Sequence, residues 1–309
     1  MQKYTFILSA KAGKGAPLSI KDKIYDFFKE KNLDKNLNII ITTHKHHVKD
    51  ATRNFLKEDG EKYLYICGGD GSLNEVVNEV VNKDINIGLI PLGTANDFAK
   101  CFDYKNFSLD RTINPKIRKV DVIKLNNIYG INVISFGFDT FVLKRTYEIM
   151  KKFPFLGNKA FFLAALSGII NLKPNHLDIS LNLKNGEIIN ISKDLLISAI
   201  CNGRYYGSGF NPSPNGNISD GIMEFLAVDN LNRIEFLNLL PRYKKGSHLS
   251  HKKVKLYEIS GGTISSSEKI YGNCDGEIFY DDKFKFEILK GAINLIDLEN
   301  ENSINNRSR

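Results

Sequence analysis

Residues 63–75 read YLYICGGDGSLNE. A β-prone apolar run, Tyr63 to Cys67, meets three glycines within four positions, Gly68, Gly69 and Gly71. A helical run, Leu73 to Val81, follows at once. Glycine lets a backbone approach a ligand closely and tolerates positive φ. A helix that starts there offers unpaired amides and a positive dipole end, a cradle for phosphate. Ser72 is expected to cap the helix, with Glu75 completing a capping box three residues on. Asp70 is out of place beside a phosphate unless a divalent metal or a proton transfer is involved. The plain alternative is a strand–turn–helix connection, since Asp-Gly is a common turn dipeptide.

Outward from this stretch, strand and helix signals alternate. Tyr4 to Leu8, Leu37 to Thr42 and Ile85 to Ile90 read as strands, and Leu18 to Lys31 and Val48 to Leu56 as helices. That order predicts βαβ units and a parallel sheet, whose ligand loops sit at the carboxyl ends of the strands. The fourth strand runs into PLGTANDFA, residues 91–99, which is expected to open another helix. Two consecutive strand ends thus each carry a glycine, a hydroxyl and an aspartate. Neighbouring parallel strands bring Asp70 and Asp97 to one crevice, and two carboxylates beside a phosphate cradle suit Mg²⁺-dependent phosphoryl transfer. The alternative is a capped helix start, with Thr94 or Asn96 as cap and Asp97 favouring the dipole.

Beyond about Val120 the pattern changes. Runs at Tyr129 to Phe136, Leu177 to Leu183, Asp194 to Cys201, Gly221 to Val228, Val254 to Ile259 and Phe284 to Leu289 predict an antiparallel β-domain. Thr146 to Leu172 reads as one or two helices, and the polar tail 299–309 as disordered. The chain has 309 residues, 42% hydrophobic and 25% charged, the composition of a globular protein of about two domains. Its net charge of +8 fits nucleic acid, an anionic membrane surface or a phosphate-rich substrate. Four scattered cysteines argue for reduced, buried thiols. Residues 1–10 lack a signal-peptide pattern. The longest apolar stretch, residues 160–172, is too short to span a bilayer. A cytoplasmic protein, peripheral at the inner face of the membrane, is therefore expected.

The two glycine-acid motifs in this order resemble the diacylglycerol kinase catalytic-domain family, which includes bacterial diacylglycerol kinases and sphingosine and ceramide kinases. Asn202-Gly203, residues 206–209, Pro212 and Asp220-Gly221 resemble the family's second-domain signature, and Asp275-Gly276-Glu277 its late motif. The resemblance implies a three-layer α/β nucleotide domain, similar to NAD kinases and phosphofructokinases, followed by a β-rich sandwich-like domain, with ATP in the cleft. The implied domains are 1–121 with a returning segment 292–298, and 122–291. It implies ATP contacts from Gly69, Asp70, Gly71, Ser72 and Thr94, and from Thr42, with Thr43 a close competitor. Lys11, Gly68, Glu75, Gly93 and Asn96 complete the implied cofactor-binding set. Ser9-Ala10 stands where the family usually has Asn-Pro. Glu277 is implied as general base on a lipid hydroxyl, and Asp97 and Asp121 as organisers of the active-site Mg²⁺. A structural Mg²⁺ site is implied at Asn217, Asp220 and the carbonyl of Ile222. The expected activity is ATP-dependent phosphorylation of a lipid hydroxyl, diacylglycerol first. Another lipid, a soluble acceptor such as NAD, or a non-catalytic sensor are the rival readings. A homodimer is also implied.

Four features remain. Glu277 also fits a solvated position beside a hairpin turn. His44, His46 and His47 read as an exposed basic loop rather than a metal site. Residues 141–173 carry six cations, one acid and several phenylalanines, and residues 242–255 carry six cations and no acid. Such segments suit docking on anionic lipid, or else a core-packed helix with a solvated basic face. No nucleic-acid motif is present, so a nucleic-acid partner is not expected.

Overall fold

The computed structural model describes residues 2–44, 46–102, 107–157 and 159–298. The tail 299–309, read above as disordered, lies outside the described residues. The chain forms two compact units, Met1–Val122 with Lys290–Arg309, and Ile123–Leu289.

The first unit holds β1 (Lys3–Leu8), α1 (Lys21–Glu30), β2 (Leu37–Ile41), α2 (His47–Leu56), β3 (Lys62–Gly68), α3 (Asp70–Val80) and β4 (Asn86–Pro91). It also holds most of β5 (Lys116–Leu125) and the end of β12 (Glu277–Asp297). Its strands pair in parallel in the order β2-β1-β3-β4, and Asn294 and Leu295 of β12 add a fifth parallel strand beside Asn86 and Ile87. Alternation along the strands sends Tyr4, Phe6, Tyr63, Tyr65 and Cys67 into one core with Ile24 and Phe28 of α1. The intervening Thr5, Ile7, Leu64 and Ile66 are equally buried, so both faces are covered, as parallel sheets require. Tyr65 stacks on Phe6 with ring centroids 4.5 Å apart.

The second unit is antiparallel. It contains β6 (Ile128–Gly130), β7 (Val133–Gly137), α4 (Phe138–Lys152), α5 (Lys159–Ile170), β8 (Asn175–Leu183), β9 (Ile188–Cys201), β10 (Met223–Asp229), α6 (Arg233–Lys245) and β11 (Val254–Cys274). β9 pairs with β8 along its first half and with β7 and β10 along its second. β11 runs in turn along β10, β8, β12 and β7, shifting register between Ser265 and Ile270. Phe136, Phe225, Phe284 and Phe286 anchor the core between these strands. The helical stretch expected at Thr146 to Leu172 is two helices broken at Pro154–Leu156, and the first begins eight residues earlier, at Phe138. Helix α6 has no counterpart in the sequence reading. It is closed by a capping box of Asn232 and Glu235 and ends at Gly246 in the left-handed region. Cys67, Cys201 and Cys274 are buried free thiols, and Cys101 is half-buried.

Candidate functional site: interlocked loops at the strand ends

Helix α3 starts three residues earlier than the sequence suggests. Gly69 is its N-cap, and the first α-helical bond runs from the Leu73 amide to the Gly69 carbonyl at 3.1 Å. Ser72 is therefore inside the first turn and caps nothing, and the expected capping box is absent. Glu75 instead turns to the neighbouring helix. Its carboxylate accepts the Lys49 amide at 3.0 Å, in the first turn of α2, and lies 3.6 Å from His46 Nδ1. An acid at a helix start is favoured by the dipole, and here α3 supplies it to α2.

The second motif opens no α-helix. It makes a tight loop and then a single 3-10 turn, Phe98–Cys101. Neither Thr94 nor Asn96 is the cap. Asn96, at φ 50°, accepts the Gly93 amide at 2.9 Å and donates to the carbonyls of Pro91 and Gly93, at 3.2 and 2.9 Å. The cap comes from the first motif. The Asp70 carboxylate accepts the amides of Asp97 and Phe98 at 2.9 and 3.0 Å. Burial pushes the Asp70 carboxyl up from its ordinary value, against those two amides, which pull it down.

The loops also meet backbone to backbone. Leu92 and Gly93 amides both donate to the Gly68 carbonyl, at 2.8 and 3.0 Å. A Cβ on Gly93 would sit 2.4 Å from Gly69 Cα, and one on Gly13 2.1 Å from the Leu92 carbonyl oxygen. Three strand-end loops are thus locked at glycines where no larger residue fits. Gly71 differs: a Cβ there meets nothing within 4 Å. Its missing side chain serves no protein contact and leaves open space beside the first turn of α3.

Ser9, Lys11, Thr42, Ser72 and Glu75 line one cavity of about 160 Å³, together with His44, His46 and His47. The Thr42 hydroxyl accepts the Ala10 amide at 2.9 Å, fixing the first loop. His44 and His46 are exposed, as expected, and His47 is half-buried, and all three line the cavity. His44 stacks on His47 at 4.5 Å, and the Thr43 amide donates to His47 Nδ1 at 3.0 Å. Sequence reading missed this, because a loop of polar residues carries no periodicity to aim it.

Asp97 is buried and ion-paired to Lys100. Asp121 is buried at the end of the first-unit part of β5, where it accepts the Gly291 amide at 2.7 Å and ties down the returning strand. Thr94 is exposed.

In the second unit, Asp275 and Gly276 (φ 48° and 99°) form the two-residue turn between β11 and β12, and Glu277 is exposed beside it. The hairpin reading of this stretch is geometrically right. Asp275, part of the late motif, has no role assigned by the sequence alone. Its carboxylate accepts the amides of Ile131, Asn132 and Val133, at 2.7, 3.2 and 2.8 Å, and so fixes the turn. Tyr147 of α4 donates to the Gly276 carbonyl at 3.0 Å; burial, and then the Glu277 charge, push its hydroxyl up. Asn217 and Asp220 sit on one loop before β10, where their Oδ1 atoms accept the amides of Ser219 and Ile222, at 3.1 and 3.0 Å. Among the described residues no three His, Cys, Asp or Glu side chains gather as metal ligands.

The chain's similarities agree with this geometry. Residues 3–125 match the family model of the diacylglycerol kinase catalytic domain, and residues 132–297 that of the YegS C-terminal NAD kinase beta sandwich-like domain. A probable lipid kinase YegS-like of Shewanella frigidimarina is 31% identical over 241 residues, 75% of each chain. A diacylglycerol kinase of Staphylococcus aureus is 30% identical over 272 residues, 84% of this chain and 83% of that one. The crystal structure of a putative diacylglycerol kinase from Bacillus anthracis superposes with a TM-score of 0.70 at 20% identity, covering 98% of both chains, and so shares the fold. The α/β unit with its locked strand-end loops, the β-sandwich after it and these similarities place the chain in the diacylglycerol kinase and YegS-like lipid kinase family, whose members are phosphotransferases with an alcohol as acceptor.

Proposed function

We propose that this protein moves the γ-phosphate of ATP to a lipid hydroxyl, with diacylglycerol the first acceptor and Mg²⁺ the metal. The observation that carries the nucleotide half is the open space over Gly71, at the start of a helix whose first residue is tied to the loop after β4. Backbone amides and the helix dipole there are pre-organised for phosphate, with Ser72, Lys11 and Thr42 beside them. The donor types suit Mg²⁺: Asp97 and Asp121 are carboxylates in the nucleotide unit, and Asn217, Asp220 and the Ile222 carbonyl are three hard oxygens from one loop. Bound Mg²⁺ would neutralise phosphate charge. Glu277 takes the hydroxyl proton as the acceptor oxygen attacks the γ-phosphorus and ADP leaves. Asp275 and Tyr147 hold the Glu277 turn in place.

Gly71→Ala tests the nucleotide half. Alanine is the better helix former by about 1 kcal/mol and meets no protein atom, so thermal stability should hold or rise. ATP affinity, read by calorimetry, should fall tenfold or more, on the order of 1.4 kcal/mol. Unchanged ATP affinity would place the phosphates elsewhere.

A further inference from the structure

Helix α5 is built inside out for a helix that faces water. Its buried positions are Ala160, Ala164 and Gly168, a stripe of small residues at a spacing of four. Gly168 packs directly on α4: a Cβ there would meet Phe138 at 2.8 Å and Phe141 at 3.3 Å. Apart from Ile169, which packs against a core cluster, the large side chains point out. Phe161, Phe162, Leu163, Leu166 and Ile170 are all exposed, Phe162 and Ile170 at 64%. No charged residue follows Lys159 within the helix. A helix packed against its own domain buries its bulky apolar residues and exposes polar ones. Small residues inward and large apolar residues outward is the arrangement used where the surroundings are hydrocarbon.

The surface continues onto the α4–α5 connection. Phe153 and Phe155 meet edge to face at 6.1 Å, and Phe155 is 82% exposed. Of nineteen exposed large hydrophobic side chains among the described residues, ten fall between Phe141 and Ile170. That concentration makes this a patch rather than scattered surface carbon. Exposed Lys151 and Lys152 end α4 and exposed Lys159 begins α5, so cations flank the aromatic tip on both sides in sequence. Apolar side chains at the tip with lysines around them match an anionic bilayer surface, hydrocarbon below and phosphates above. The charge complementarity selects lipid over a second copy of the chain, which would bring lysine against lysine.

We propose that the α4–α5 hairpin is the membrane-docking element, with Phe155 and Phe162 inserting below the headgroups of an anionic bilayer and Lys151, Lys152 and Lys159 binding the phosphates. This deepens the lipid-kinase reading by naming the surface that meets the acceptor's membrane, and rests on that reading for its biological purpose. None of these residues belongs to the nucleotide loops or to the Glu277 turn. The hairpin adds no membrane span: no helix among the described residues is long and apolar enough to cross a bilayer.

The chain has no tryptophan, so a single one reports from wherever it is placed. Phe155→Trp and Phe162→Trp proteins are titrated with phosphatidylcholine vesicles with and without phosphatidylglycerol. Ile188→Trp, exposed on β9, is the control. The expected result is a blue shift, and quenching by brominated lipid, at 155 and 162 but not at 188. It should require phosphatidylglycerol and weaken with salt. The Phe155→Ser/Phe162→Ser double variant should lose tenfold or more in vesicle partitioning, while phosphorylation of a short-chain acceptor in detergent stays at the wild-type rate. Equal responses at all three positions overturn the proposal. So does undiminished vesicle binding by the double variant, including the case in which that variant only turns a dimer into a monomer. Vesicle binding is read without turnover. A protein that docks as described but phosphorylates no lipid defeats the kinase reading and leaves the docking surface standing.

Discussion

Asp70→Asn lowers ATP-dependent turnover by about two orders of magnitude or more and destabilises the protein by roughly 1–3 kcal/mol. The reason is the geometry of its two acceptor oxygens. One carboxylate accepts the amides of both Asp97 and Phe98. Asparagine keeps one acceptor and turns a donor toward the other amide, leaving a partly buried N–H without a partner. The loop carrying Asp97 then loses its tether to α3, and a displacement of about 1 Å at a phosphoryl-transfer site is enough for a hundredfold loss. The two readouts separate the effects: thermal unfolding reports the orphaned amide, and steady-state kinetics report the displaced loop. A variant with wild-type turnover would show that the tether to Asp97 is not part of the machinery.

Glu277→Gln lowers turnover by a comparable factor with a different signature. General-base catalysis is worth about 10²–10⁴ in rate. Glu277 is exposed, and the turn beside it is held by Asp275 and Tyr147, so the amide should change stability by no more than about 0.5 kcal/mol. ATP affinity should be unchanged, because the nucleotide loops are built entirely from other residues. The expected pattern is lost kcat, unaltered unfolding and unaltered ATP binding. If lipid phosphorylation survives at the wild-type rate, Glu277 is a solvated residue beside a hairpin turn and another group takes the proton.

The parallel order of the first unit was legible because strand and helix periods alternate cleanly and the glycines fall at a strand end. The antiparallel second unit was legible from its runs of β-prone residues. What periodicity could not give was the partner of each polar side chain. Ser72 and Glu75 have a capping-box spacing, but Gly69 takes the cap, and Glu75 finds the Lys49 amide of α2 through a contact 26 residues away. Asp70 likewise caps a turn 27 residues on, in place of Thr94 or Asn96. Local rules cannot price such bonds, since a buried carboxylate goes wherever tertiary structure presents unpaired amides. The role of Asp275 within its motif stayed hidden for the same reason: three amides some 143 residues upstream define it. Helix α6 was hidden by Pro241, which reads as a breaker yet lies inside it. The basic, aromatic segment around α4 and α5 was visible as composition, whereas the outward orientation of its large side chains needed the fold.

Phosphoryl transfer from ATP to a lipid hydroxyl leaves a labelled lipid product. It is tested most directly by incubating the purified chain with γ-labelled ATP, Mg²⁺, a total lipid extract and NAD, and identifying the labelled products by mass spectrometry. Label is expected in phosphatidate made from diacylglycerol, none in NADP, and less by about a hundredfold or more in phosphatidate from the Glu277→Gln protein. Label in NADP, or ATP bound with no lipid phosphorylated, would contradict it.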